Sequence, residues 1–406
     1  MSVLQRASER PRSELTPGRY LRSLDWVLLL AAVGLVVFGM FMIYSATRGD
    51  RGLPSPTFYV RSQAFGLGLG LVAVIALSLV DVSWFSRRRD IIYWGIVALL
   101  GLTLFVGAER MGARRWLSLP LLPDLQTSEL AKMAMIVAFA GFLADGVALR
   151  SKFRFVILAV AYVALPAGLV SLEPDLGTAL VFGFFTVSML LVWGVRWSHL
   201  AVLVGSGVLV VVAVLRILPA TLGVSLLKPY QIQRLLVFID PGQDTSGAAY
   251  QVSQSKIAVA SGMFAGKGYG RGTQTMLNFL PAHHTDFIFS VIGEELGFLG
   301  AALLLGLYLV VLWRTLRIAS ISKSLYGTLI AVGIAGVLLF QVFVNVGMTI
   351  GIMPVTGVPL PFVSFGSSSL VVFLIAIGLL QSIHVHSRLA PVTGRFKGEP
   401  HGQMAA

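Results

Sequence analysis

A chain of 406 residues that is 56% hydrophobic and only 12% charged, with a mean hydropathy of +0.84, is too apolar for a water-soluble domain. Its net charge of +13 superficially suggests nucleic acid, but the basic residues cluster on short connections between apolar runs. The absence of cysteine excludes disulfides and thiolate metal sites.

Ten apolar runs are predicted as membrane helices: 24–45, 64–82, 91–106, 128–145, 155–171, 176–195, 199–219, 287–313, 326–350 and 362–384. No strand-like alternation accompanies them, which argues against a barrel. The expected fold is an all-α polytopic membrane protein of about ten transmembrane helices, with a long extracytoplasmic loop between helices seven and eight. Residues 1–23 read as a basic cytoplasmic tail, 24–386 as the transmembrane domain containing the large loop 220–286, and 387–406 as a second cytoplasmic tail. With both termini inside, 18 of the 31 Lys and Arg residues fall on inner segments, so no nucleic-acid partner is needed. The outer basic residues Arg114, Arg115, Lys256, Lys267 and Arg271 need another account.

Along the chain, the first notable outer segment carries Gly112-Ala-Arg-Arg-Trp-Leu117. Glu129 and Lys132 follow at i and i+3 near the start of helix four. That spacing suits an ordinary helix-end ion pair, but charges in a membrane segment are expensive and favour a cavity-lining role. Glu173-Pro-Asp-Leu-Gly177 precedes helix six, where both acids are expected to complement the helix dipole, a capping role being favoured over catalysis. The large loop holds Lys228-Pro-Tyr-Gln-Ile-Gln-Arg-Leu235, an amphipathic piece from Tyr250 to Met263, and the glycine-rich run Gly266–Gly272. Without a strand before it and a helix directly after it, that run is a poor nucleotide loop; close approach to a ligand or another helix fits better.

Asp286 lies where this loop enters an apolar segment, a boundary at which a carboxylate is costly to desolvate. On a continuous helix, Asp286, Ser290, Gly293, Glu294 and Gly297 would share one polar, small-sided face. Adjacent His283 and His284 lack a third strong ligand, which argues against zinc; a loosely held Mg²⁺ or Mn²⁺ shared with a substrate phosphate stays open. Gln341, Asn345 and Thr349 form a stripe suited to interhelical hydrogen bonds. Met353–Ser369 mixes proline, glycine and hydroxyls, a broken backbone tolerated at membrane depth only when buried in protein or lining a cavity. These features fit an enzyme acting on a lipid-linked anion and a transporter equally well.

The same segments, in order and over nearly the whole chain, resemble the SEDS family (shape, elongation, division and sporulation), bacterial membrane glycosyltransferases that polymerise peptidoglycan. The resemblance rests on Gly112–Leu117, Leu125-Gln-Thr-Ser-Glu-Leu-Ala-Lys132, Glu173–Thr178, Leu280-Pro-Ala-His-His-Thr-Asp-Phe-Ile-Phe289, Gly293-Glu-Glu-Leu-Gly297 and Pro354-Val-Thr-Gly-Val-Pro-Leu-Pro361. Gln254-Ser-Lys-Ile-Ala258 and Gly266-Lys-Gly268 look like the elongation branch, with the division branch as the alternative. The resemblance implies a multi-pass protein of the bacterial inner (plasma) membrane, with cytoplasmic termini and an active site on the extracytoplasmic side. It implies lipid II as substrate, a class B penicillin-binding protein (a transpeptidase) as partner, and a surrounding of membrane lipid.

By the same resemblance Asp286 is the catalytic aspartate, and Arg115, Trp116, Glu129, Lys132, Lys256 and Ser364 are expected to bind substrate. Asp286 either takes a proton or holds a divalent cation, Mg²⁺ or Mn²⁺, and the sequence does not separate the two roles; no organic cofactor is expected. Three departures stand out: Thr127 and Ala282 replace a usual proline and a common glutamate, and Ser364-Phe-Gly-Ser-Ser368 replaces Ser-Tyr-Gly-Gly-Ser.

Overall fold

A computed structural model describes residues 17–49, 55, 57–110, 113–117, 124–173, 175–213, 231, 232, 234, 237, 238, 247–277, 279, 280 and 282–389. The apolar runs form α1 (Trp26–Thr47), α2 (Phe58–Leu79), α3 (Arg89–Val106), α4 (Thr127–Asp145), α5 (Phe153–Leu172), α6 (Leu176–Trp193) and α7 (Trp197–Val212). The large loop contributes α8 (Ala248–Gly262), and the chain then re-enters the bundle as α9 (Ile288–Ile321), α10 (Leu325–Ile350) and α11 (Ser367–Leu389). Nine of these helices, all but α7 and α8, are long and apolar enough to cross a membrane among the described residues. The expected seventh span begins as α7, and its continuation to residue 219 lies outside the described residues, as does most of the first half of the large loop.

Helices α4, α10 and α11 are the most enclosed, whereas α2, α3 and α5 turn most of their surface outward. An outward surface of leucine, valine and phenylalanine is stable in hydrocarbon and would not be in water. One end of the bundle is fastened by Asp25. Its side chain caps α1 by accepting from Leu28 N (3.1 Å) and also accepts from Arg314 Nε of α9 (2.9 Å). Gln381 of α11 completes the knot by exchanging two bonds with the Asp25 backbone (2.8 and 2.9 Å). This pairing explains why α9 continues to Ile321 past two arginines, well beyond the expected end at 313.

Three features of the opposite end depart from the sequence expectation. A small antiparallel sheet, β1 (Ala108–Arg110), β2 (Ala113–Leu117) and β3 (Leu125–Gln126), joins α3 to α4. The segment expected to open helix ten at 362 stays irregular until Ser367, because Pro359, Pro361 and Gly366 interrupt it. Finally, α9 is not one continuous helix: Gly297 (φ 63°, ψ −157°) breaks it.

The glycine-rich loop fills that break. Glu294 O and Glu295 O accept from Lys267 N (3.0 Å) and Gly268 N (2.9 Å), while Phe298 N and Leu299 N donate to Met263 O (2.9 Å) and Phe264 O (3.2 Å). These four backbone groups at the break are thus re-paired, as a low-dielectric setting demands. Gly266–Gly272 therefore approaches another helix, one of the two partners its sequence allowed.

Candidate functional site

Asp286 sits in the turn before α9, one residue short of its N-cap Phe287, so it does not share a helical face with Ser290, Gly293 and Glu294. The turn closes through Thr285 N and Phe287 N, which donate to Ala282 O (3.1 and 3.3 Å). Three successive carbonyls of this turn are then pinned from outside. His284 O accepts from Phe365 N (2.9 Å), Thr285 O from Ser364 Oγ (2.7 Å), and Asp286 O from Asn345 Nδ2 (2.9 Å). Asn345 also donates to Val358 O (2.8 Å), tying α10, the irregular segment and the turn together. The backbone of Asp286 is therefore fixed in place, as a reacting carboxylate requires.

Ser364 also accepts from Leu360 N (2.8 Å), so its single proton is committed to Thr285 O. In this structure it positions the turn that carries Asp286. Gly357 (φ 72°) brings the irregular segment against the carboxylate: a Cβ there would lie 3.4 Å from Arg234 Nη1 and 3.5 Å from Asp286 Oδ2. Arg234 is the basic partner that the sequence reading quoted within a motif but did not single out.

Asp286 is half-buried by surface area, yet it lies deep enough in its recess for desolvation to dominate. Burial pushes its carboxyl up to about 6, opposed first by the Arg234 guanidinium, helped by the Asp175 carboxylate, and opposed again by Arg115. These charges mark a second group of residues facing the same recess. Arg115 of β2 donates from Nε to Glu173 O (2.8 Å). Asp175 caps α6 through Thr178 N (3.1 Å) and Oγ1 (3.0 Å) and accepts from Ser128 Oγ (3.2 Å), as its expected capping role requires. Glu173 does not cap. Its side chain is buried, and neither carboxyl oxygen has a hydrogen-bond partner among the described residues. Trp116 is half-buried on β2, where it pairs with Gln126 of β3.

The remaining expected contacts fall elsewhere. Lys132 Nζ bonds Glu129 Oε1 at 2.6 Å, and Glu129 Oε2 accepts from Ser369 Oγ at 3.0 Å. With side chains 0% and 1% exposed, this pair is buried and its two charges are matched to each other. Lys256 is exposed on α8, and its side chain crosses Gly351, the C-cap of α10, a place where a cation complements the helix dipole.

The two histidines make no metal pair either. His283 Nδ1 is bonded to Leu280 O (2.7 Å), and the His284 ring stacks on Tyr59 at 4.6 Å. Among the described residues no group of three or more His, Cys, Asp or Glu side chains could hold a metal ion. A metal cage made of protein side chains alone is therefore not formed among the described residues. The site is instead a desolvated carboxylate faced by two guanidinium groups, suited to removing a proton beside an anionic group.

Comparison with known proteins gives a consistent result. A family model described as "Cell cycle protein", covering FtsW, RodA and SpoVE, matches residues 25–389. The chain is 36% identical over 366 residues to the peptidoglycan glycosyltransferase MrdB of Escherichia coli K12, covering 90% of this chain and 95% of the relative. Among solved structures, it is similar to a chain of a peptidoglycan synthase complex that coordinates polymerisation and crosslinking, with TM-score 0.74, 32% identity, and 90% and 98% of the two chains covered. It is also similar to the rod shape determining protein RodA of Thermus thermophilus, with TM-score 0.64, 30% identity, and 89% and 97% covered.

Proposed function

The chain belongs to the FtsW/RodA/SpoVE family and is a multi-pass membrane peptidoglycan glycosyltransferase, and from that premise we propose that Asp286 is the base that polymerises lipid II. In the proposed step, the Asp286 carboxylate takes the proton from the 4-hydroxyl of the acceptor's N-acetylglucosamine. The hydroxyl oxygen bonds to the anomeric carbon of the donor's N-acetylmuramic acid. The bond from that carbon to the pyrophosphate breaks with inversion, and undecaprenyl pyrophosphate leaves with the electron pair.

The pinned turn is the observation that carries this reading, because it fixes a carboxylate with raised proton affinity beside Arg234 and Arg115. A base near 6 stays largely ionised at neutral pH and accepts a proton more readily than an ordinary aspartate. General-base help of this kind contributes about 10²–10⁴-fold. The guanidinium groups supply cationic stabilisation to the departing pyrophosphate, and the step is derived without a metal ion.

The distribution of basic residues supports cytoplasmic termini, with Asp286 on the extracytoplasmic side of a bacterial plasma membrane. The similarity to RodA supports a role in elongation and rod shape, and the similarity to a chain of a polymerising and crosslinking complex supports a class B penicillin-binding protein as partner. The test is product formation by the purified protein in lipid vesicles containing lipid II, alone and with such a partner. Glycan strands and undecaprenyl pyrophosphate in equal measure with the bonds formed are expected. Movement of lipid II between leaflets with no strand formed under either condition would replace this reading with a transporter.

A further inference from the structure

One buried acid has neither a place in that mechanism nor a hydrogen-bond partner for either carboxyl oxygen among the described residues. Glu173 follows the last residue of α5, where its N–H bonds Leu169 O and Val170 O, and its side chain is 1% exposed. Both carboxyl oxygens lack a protein partner among the described residues, although Asp175, two residues on, is fully engaged in capping α6. An unsatisfied buried polar group costs about 1–3 kcal/mol, so a carboxyl bare on both oxygens calls for a partner.

The charges facing Glu173 decide what kind of ligand. Arg115 acts on it from β2, where its Nε donates to Glu173 O (2.8 Å), and Asp175 acts from the start of α6; the same two side chains also act on Asp286. Burial pushes the Glu173 carboxyl up to about 8, with Asp175 adding to the rise and Arg115 opposing it. A neutral carboxyl offers one O–H donor, whereas a carboxylate offers acceptors alone.

We propose that the Glu173 carboxyl is a neutral hydrogen-bond donor to a pyrophosphate oxygen of the lipid-linked donor, a substrate-binding group beside Arg115 rather than a helix cap. The proton and the anion reinforce each other: a nearby negative charge disfavours the carboxylate, and the O–H in turn binds the anion. This inference rests on the glycosyltransferase reading for the identity of its ligand, but its first test does not require turnover.

That test is difference infrared spectroscopy on the protein at pH 7, with and without undecaprenyl pyrophosphate. A protonated-carboxyl band that shifts on adding the lipid, and is missing from Glu173→Gln, is expected. No such band, or a band unmoved by the lipid, would overturn the proposal. The second test is the pH profile of polymerisation. Glu173→Gln, which keeps a donor, should stay within about 3-fold of wild type at pH 7 and lose the fall in rate above about pH 8. Glu173→Ala should raise KM for lipid II about 10-fold or more with its melting temperature retained. A Gln variant as impaired as the Ala variant, or one that keeps the alkaline fall, would reduce Glu173 to a structural residue. Loss of strands in the Asp286→Asn variant is independent of all these outcomes, so the two readings fail separately.

Discussion

At the scale of single residues, the proposed chemistry depends on where the chain puts two acids and two arginines. Asp286 was legible in the sequence because an acid at a membrane boundary is conspicuous and because its motif resembles the SEDS pattern. Its setting was not. The residues that pin its turn, Asn345, Ser364 and Phe365, are 59 to 81 residues away, and no local pattern announces such bonds. Arg234 was hidden for the same reason, as one basic residue in a long loop. Glu173 was misread because Glu-Pro-Asp before a helix offers two capping candidates, and the geometry selects Asp175. For Asp286 the pH dependence has a definite sign. Only the carboxylate can accept a proton, so kcat/KM should fall as pH drops through about 6, not through the ordinary aspartate range near 4. Initial rates of strand synthesis from pH 4.5 to 8 check this.

At the scale of elements, the break in α9 shows how far composition can be followed. The run 287–313 reads as one helix because it is largely apolar, and glycine inside a helix is usually tolerated. What changes Gly297 is the partner: Gly266 approaches so closely that a Cβ on Gly297 would lie 2.4 Å from Gly266 N. Glu294 then holds the loop, accepting from Lys267 Nζ (2.7 Å), Thr273 N (2.8 Å) and Gln274 N (3.2 Å). Glu295 accepts from Gly270 N (3.0 Å) and Ser45 Oγ (2.5 Å). Two adjacent carboxylates thus replace the ladder that the loop backbone lacks. Gly297→Ala should destabilise the protein by about 2 kcal/mol or more, since its backbone conformation is nearly restricted to glycine and the added methyl meets backbone. Thermal unfolding in a lipid nanodisc reads this. An unchanged melting temperature would mean that α9 can run straight.

At the scale of the whole molecule, the apolar spans are largely legible in the sequence, because hydrocarbon thickness sets helix length. The ends of spans were less so. Charge suggested that α9 should stop before Arg314, yet the buried Asp25 pair lets it continue. Asp25 and Arg314 are 289 residues apart, and they couple the first and ninth helices at the end remote from Asp286. Asp25→Ala should therefore destabilise by about 3–5 kcal/mol by leaving Arg314 buried and unpaired. Asp25→Asn combined with Arg314→Met, which keeps a cap and removes the charge, should lose markedly less. Equal losses in the single and double variants, by the same unfolding assay, would show that the pair is not what joins these helices.

The most direct test of the central claim is single-turnover glycan synthesis by enzyme preloaded with lipid II, comparing wild type with Asp286→Asn. Lipid II affinity, melting temperature and partner binding should match between the two. The account predicts a rate of bond formation lower by about 10²–10⁴-fold in the variant with binding unchanged. Bond formation at the wild-type rate in a folded, lipid II-bound Asn variant would remove Asp286 from the chemistry and contradict the mechanism.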